Sequence, residues 1–153
     1  MINYQIKRLD RNEIDLIQHL WEKLNLLHFD LSQNFKKRFQ ETNWEKRKAK
    51  LIDKSEEIMI DIVVDNQGTI IGYCISTIDN GNNKIGEIDS IYIEESHRES
   101  GFGKQLINSA IDWLIAKGTT EQKLLVGVGN EKVLDFYKQF NFFPLHIVLQ
   151  RID

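Results

Sequence analysis

The stretch Glu94-Glu95-Ser96-His97-Arg98-Glu99-Ser100-Gly101-Phe102-Gly103-Lys104 runs directly from a β-rich segment into a helical one. Two glycines two apart permit positive φ and close backbone approach, so several successive N–H groups can point at one anion. The helix that follows adds partial positive charge at its first turn. Arg98 and Lys104 flank the loop, one as a planar fork and the other as a point charge. A pyrophosphate fits this description, and so does a tight strand-to-helix turn whose glycines serve geometry alone. Gly101 to Leu106 lacks the third glycine of the dinucleotide fingerprint, and no Gly-Lys-Ser/Thr of a triphosphate loop is present.

Working outward, Ile85 to Ile93 reads as the strand entering the loop and Phe102 to Lys117 as the helix leaving it. The helix carries the apolar stripe Leu106, Ile107, Ala110, Ile111, Leu114 and Ile115, with Gly118 as its stop. Upstream, Ile58 to Val64 and Thr69 to Ile78 are β-rich and separated by turn residues, so with Ile85 to Ile93 they predict an antiparallel meander. Tyr4 to Leu9 reads as a short strand. After Asn12 the residues Ile14, Ile17, Leu20, Trp21, Leu24 and Leu27 recur at helical spacing. A second helical region spans about Leu31 to Ser55, broken near Thr42, where Thr42 and Glu45 have the spacing of a capping box. Downstream, Lys123 to Gly129 reads as a strand, Asn130 to Phe140 as a helix capped by Asn130, and Phe143 to Arg151 as a closing strand. This order predicts a mixed sheet in an α/β domain. The strands at Gly86 to Ile93 and Lys123 to Gly129, joined by a helix, run parallel through a right-handed crossover.

The 153 residues match the size of one domain, here taken as 1–153, and 41% hydrophobic with 28% charged residues excludes collagen-like and disordered classes. A lone cysteine, Cys74, rules out an internal disulfide and a Cys-rich metal site. Met1 to Asp10 has no apolar h-region and no run of about 18 apolar residues occurs, so a cytoplasmic protein with no membrane partner is expected. The net charge of −3 hides an uneven distribution: Asn34 to Lys54 holds eight basic against three acidic residues. Aromatic residues and glycines are not interleaved with these charges as nucleic-acid binding requires, so a solvated helix face and no nucleic-acid partner are expected.

Arg98-x-x-Gly101-x-Gly103 between a strand and a helix resembles the signature of the GNAT superfamily of acetyl-CoA-dependent N-acetyltransferases. A second stretch, Asn130-Glu131-Lys132-Val133-Leu134-Asp135-Phe136-Tyr137-Lys138-Gln139-Phe140-Asn141-Phe142, is similar to the family's Asn-x-x-Ala-x-x-Phe-Tyr-x-x-x-Gly-Phe. Val133 replaces the usual Ala. Asn141 replaces the usual Gly, a mild change because Asn tolerates the left-handed region. Residues 30 to 57 match nothing specific. The resemblance implies a GNAT-like three-layer fold, a mixed and mostly antiparallel sheet with a central pair of splayed parallel strands.

It also implies a site. The pyrophosphate of acetyl-CoA would lie on Arg98, Glu99, Ser100, Gly101, Phe102, Gly103 and Lys104, and the pantetheine arm would pair with Ile91, Tyr92 and Ile93 like an added strand. Asn130 would contact the arm. Gly127 and Gly129 either open space for it or mark a bend. The reaction is attack of an amine on a thioester, which needs a base, N–H donors for the oxyanion and an acid for the departing thiolate. Tyr137 resembles the thiolate-protonating Tyr, and backbone N–H groups around Ile91 to Ile93 would hold the oxyanion. For the base, Glu87 and Asp89 are two apart on one strand face, which a regular strand continues through Ile91 and Ile93. Either carboxylate could instead face solvent or attract a cationic amine.

Cys74 reads as a small core residue, and His19, His28, His97 and His146 show no metal-ligand spacing, so no metal is expected. The acceptor is a small-molecule or peptide amine, beside a wall suggested by Phe29, Phe35, Phe39 and Trp44. A homodimer through the final strand is expected. Two other readings are an acyl-CoA sensor that transfers nothing and an interaction module using Lys46, Arg47 and Lys48.

Overall fold

A computed structural model describes residues 3–153, so Met1 and Ile2, part of the reading of the N-terminus, lie outside it. Strand β1 (Tyr4–Leu9) leads into a 3-10 turn (Arg11–Ile17) and helix α1 (Gln18–Leu31), followed by α2 (Lys36–Glu41) and α3 (Trp44–Lys54). The meander β2 (Ser55–Asp65), β3 (Ile70–Asp79) and β4 (Ile85–Ile93) comes next. Then follow α4 (Phe102–Ala116), β5 (Glu121–Leu124) and a short α5 (Leu134–Lys138). The sheet order is β1-β2-β3-β4-β5, antiparallel throughout except for the parallel β4–β5 pair.

Period-2 alternation sends the meander's side chains to two cores. Ile60, Ile62, Tyr73 and Ile75 meet Ile17, Leu20, Trp21, Trp44 and Leu51 from the helices before the meander. Met59, Val63, Ile71, Cys74 and Ile88 meet Leu106, Ile107, Ala110 and Leu114 of α4. Each fully buried aliphatic side chain contributes about 1.5–3 kcal/mol, so two faces together account for most of what fixes the layers. A buried carboxylate ties the second core: Asp61 on β2 accepts from Arg8 Nε (2.9 Å) and from Ser109 Oγ on α4 (2.7 Å).

Four expectations change. The helix break near Thr42 exists, but Asn43 is the cap, its Oδ1 accepting from Lys46 N at 2.9 Å, while Thr42 Oγ1 donates back to the Arg38 carbonyl. Strand β5 starts and stops earlier than Lys123 to Gly129, because Gly118 ends α4 and the N–H of Thr120 already reaches the Lys84 carbonyl. Helix α5 is shorter than Asn130 to Phe140, entered through a 3-10 turn (Glu131–Val133). Residues 143–151 form no strand: a strand exists through its ladder, and no backbone hydrogen bond reaches them among the described residues.

Candidate active site

The site begins where β4 and β5 part. Pairing runs from Ile85 opposite Glu121 to Ile88 opposite Leu124 and ends there, while β4 continues to Ile93. From Asp89 onward one edge of β4 therefore has no β5 neighbour, and the two parallel strands leave a wedge. On its other side β4 stays paired with β3, but Ile75 faces Ser90 and Ser76 faces Ile88, so Asp89 is an extra, bulged residue.

The bulge overturns the expected alternation. Glu87, Asp89 and Ser90 all turn toward the α1–α3 side: Glu87 and Asp89 meet Lys54 of α3, and Ser90 Oγ lies 2.6 Å from the Tyr73 hydroxyl. Ile91 and Ile93 instead pack on the α4 side. The strand face carrying the two carboxylates does not continue through Ile91 and Ile93.

The two carboxylates also differ from each other. Asp89 has a side-chain exposure of 0% and both oxygens occupied, by Lys54 and by the Thr77 hydroxyl, with the Arg47 guanidinium at 3.9 Å and bonded to the Asp89 carbonyl at 3.3 Å. It is a clamped internal anion rather than a group facing the wedge. Glu87 is half-buried, 3.4 Å from Lys54, beside a small pocket lined by Lys54, Thr77, Asp79, Ile85 and Lys123. Burial, then the neighbouring Asp89 charge, pushes its carboxyl above the usual range, against the pull of Lys54.

The glycine loop closes the open end of β4. After a 3-10 turn (Glu95–His97), Glu99 takes φ +64° and Gly101 φ +85°, a region favouring glycine. Helix α4 starts at Phe102, and its first internal bond from this end is Gln105 N to the Gly101 carbonyl. The N–H groups of Glu99 to Lys104 donate to no acceptor among the described residues, leaving a row of donors at a helix start. Arg98 reaches back instead, donating from Nε to the Ile93 carbonyl at 2.9 Å with its guanidinium 5.2 Å from the Tyr92 ring centre. Gly103 also serves packing: a Cβ there would stand 3.3 Å from the Phe136 ring, so the small residue lets α5 seat against α4.

That contact brings the second signature to the wedge. Phe136, Tyr137, Phe140 and Phe142 pack on the α4-side core, with Tyr137 ring-to-edge against Phe136 and Phe142. Burial pushes the Tyr137 phenol up to about 12, and its hydroxyl bonds to no protein group among the described residues. Asn130 does not cap α5 through its side chain; the Glu131 carboxylate accepts from Gly129 N at 2.9 Å instead, which leaves the Asn130 amide uncommitted. Gly129, at φ +100°, passes so close to the Leu31 carbonyl that any Cβ would collide with it. The end of α1 thus walls the loop after β5. Phe29, Phe35 and Phe39 nearby are half-buried, whereas Trp44 belongs to the core and donates to Asp15 at 2.7 Å.

Sequence reading missed the clamp of Arg47, Lys54 and Thr77 around Asp89, for which the only signal was an excess of basic residues on α3. Those charges turn inward more than a solvated face would: besides Arg47 and Lys54, Lys48 pairs with Asp15 at 2.9 Å. Among the described residues no group of His, Cys, Asp and Glu could hold a metal, and no helix is long and apolar enough to cross a membrane.

Residues 18–142 match the Acetyltransferase (GNAT) family, and the chain belongs to it. An uncharacterized N-acetyltransferase of Methanocaldococcus jannaschii is 34% identical over 65 residues, 42% of this chain; the match spans 29% of that relative's length. Among solved structures, the aminoglycoside N-acetyltransferase AAC(6')-Iy in complex with CoA superposes with a TM-score of 0.69 at 16% identity, over 100% of this chain and 96% of the other. A Trypanosoma brucei acetyltransferase gives 0.67 at 20% identity over 99% of both chains. An aminoglycoside acetyltransferase from an uncultured soil metagenomic sample, with trehalose bound, gives 0.66 at 18% identity over 98% and 95%. These likenesses share the fold.

Proposed function

We propose that residues 1–153 form one unit that moves an acetyl group from acetyl-CoA to a primary amine of a small molecule or peptide by direct attack on the thioester. The observation that carries this reading is the row of uncommitted N–H groups from Glu99 to Lys104 at the mouth of the wedge between β4 and β5. These donors, with Gly101 offering no Cβ and the start of α4 adding its dipole, suit a pyrophosphate. Bound acetyl-CoA supplies an activated acyl carbon and a thiolate leaving group. The free edge of β4 at Ile91, Tyr92 and Ile93 takes the pantetheine arm as an added strand, and the Asn130 amide meets it from the opposite wall.

Tyr137 donates its proton to the leaving sulfur. A phenol pushed up to about 12 remains a donor throughout the neutral range. Glu87 is the base, acting directly or through water on the incoming ammonium, and Asp79 beside it adds a second attraction for a cation. Asp89 is a positioning residue: its carboxylate and carbonyl, held by Lys54, Thr77 and Arg47, fix the bulge that turns the following N–H groups toward the oxyanion. Base and acid then stand on opposite faces of the sheet with the wedge between them. Polycationic amines such as the aminoglycosides named for two structural neighbours are the first acceptors to try. The lone cysteine, Cys74, forms no internal disulfide, which fits a reducing compartment such as the cytoplasm.

Calorimetric titration with acetyl-CoA, followed by free-thiol release over a panel of amines, tests the reading. Binding with turnover supports it. Binding without turnover on any amine favours a sensor of acyl-CoA, and no binding removes the cradle.

A further inference from the structure

Lys54 is the last residue of α3, and its backbone is fixed there: the Lys54 carbonyl accepts from Asn80 N at 2.9 Å. Its side chain leaves this held point and runs to β4, where the ammonium touches Asp89 and stands 3.4 Å from the Glu87 carboxylate. Among the described residues no other lysine reaches a carboxylate of β4; Lys23 and Lys48, for instance, pair with Glu94 and Asp15. Lys123, opposite Glu87 on β5, sits on the paired half of the strand, whereas Lys54 meets Asp89, where the wedge opens. The Lys54 side chain is 36% exposed, so its partners do not seal the amine in. A primary aliphatic amine therefore stands, in the free chain, beside the proposed base, where an incoming acceptor amine has to be.

We propose that Lys54 is an acetyl acceptor within its own chain: with acetyl-CoA bound and no other amine present, the acetyl group passes to Lys54 Nζ, which rests on the acetyl transfer proposed above. Lys54 gives one ammonium proton to Glu87, whose carboxyl burial holds above the usual range, and the freed amine attacks the thioester carbon. The C–N bond forms as the C–S bond breaks, and the sulfur leaves with the bonding pair and takes the Tyr137 proton. The second proton of the attacking nitrogen returns to Tyr137 through water, so acetyl-lysine and free CoA thiol form with one net proton released. The amine comes from the Glu87 side and the sulfur leaves on the Tyr137 side, as the placement of base and acid on opposite faces requires. An amine carried by the chain needs no encounter, which favours this acceptor over a dilute one. The acetyl group also removes the Lys54 charge and leaves Asp89 with Arg47 and Thr77 alone, so the modification acts on the anchor of the wedge.

Incubation of the full chain with acetyl-CoA and no added amine, read by intact mass and peptide mapping, tests the proposal, with calorimetric binding of acetyl-CoA measured on the same preparation. Label should appear at Lys54 ahead of exposed lysines such as Lys7, Lys50 and Lys123. Its rate per chain should not change when the protein is diluted, because the transfer stays within one molecule. Glu87→Gln should slow labelling of Lys54 by at least about tenfold and leave Lys7 and Lys50 at their slow chemical rate. Lys54→Arg, which keeps a cation on Asp89, should lose this label with the wild-type circular dichroism spectrum. The site preference and the dilution series need no variant. Binding of acetyl-CoA without label at Lys54 overturns the proposal and leaves the cradle standing, whereas no binding removes both. Label spread evenly over the exposed lysines, a Lys54 rate that falls on dilution, or a rate indifferent to Glu87→Gln also overturns it.

Discussion

The two halves of β4 are one strand with two different jobs. Gly86 to Ile88 is paired on both sides and buries Ile88 in the α4-side core; Ser90 to Ile93, beyond the bulged Asp89, keeps β3 on one side and has an open edge on the other. The change falls at one bulged residue, and the most heavily bonded carboxylate of the site sits there. A strand that leaves a sheet partner would ordinarily follow it or fray. Here three side chains from α3 and β3 hold the parting point, so the open half stays paired with β3 and its other edge stays addressable. A cleft made by omitting hydrogen bonds needs a rigid anchor where the omission begins.

The strongest way to break this contrast is Asp89→Ala. It strands the Lys54 and Arg47 charges beside a buried cavity, and removing one partner of such a cluster costs about 3 kcal/mol, the low end because Lys54 and Arg47 are 36% and 26% exposed. Urea denaturation checks it, and acetyl transfer should fall with stability. Next comes Tyr137→Phe, which leaves the open half intact but removes the proposed acid: kcat should drop by about 100-fold or more with acetyl-CoA affinity changed less than about twofold. Gly101→Val should weaken acetyl-CoA by about tenfold in calorimetry, since a β-branched residue resists φ +85° and crowds the N–H row; the fold is retained but the thermal transition falls by a few degrees, about 1–2 kcal/mol of backbone strain. The smallest change is sought at Glu87. Its carboxyl lies above the ordinary 4.5, so kcat/KM should fall on the acid side at a higher pH than an ordinary Glu gives, and Glu87→Gln should erase that limb. The same upward shift means Glu87 favours the folded state below pH 4.5 and that contribution is lost as pH rises through its folded value.

The paired half of β4 was legible in the sequence and the open half only in part. Periodicity located the first helical stripe (Ile14, Ile17, Leu20, Trp21), the meander and α4 because each has a face to bury, and those faces are the two cores. The signature loop and Tyr137 were legible because backbone geometry and a family resemblance both mark them. The bulge was not: Gly-Glu-Ile-Asp-Ser-Ile-Tyr-Ile reads as a regular strand, and the extra residue is set by what Asp89 meets on α3 and β3, 35 and 12 positions away in the chain. Arg47 and Lys54 were visible only as charge, since inward and outward lysines look alike in composition. The closing strand was legible as a strand former, but residues 143–151 reach no sheet edge among the described residues, and without a ladder there is no strand.

Calorimetry of the wild-type chain with acetyl-CoA against Gly101→Val, with NAD and ATP as controls, reads the cradle at its source. One acetyl-CoA site per chain is expected, about tenfold weaker in the variant, with no binding of either control. Equal affinity for wild type and variant, or NAD binding as well as acetyl-CoA, would mean that the N–H row from Glu99 to Lys104 is not a pyrophosphate cradle.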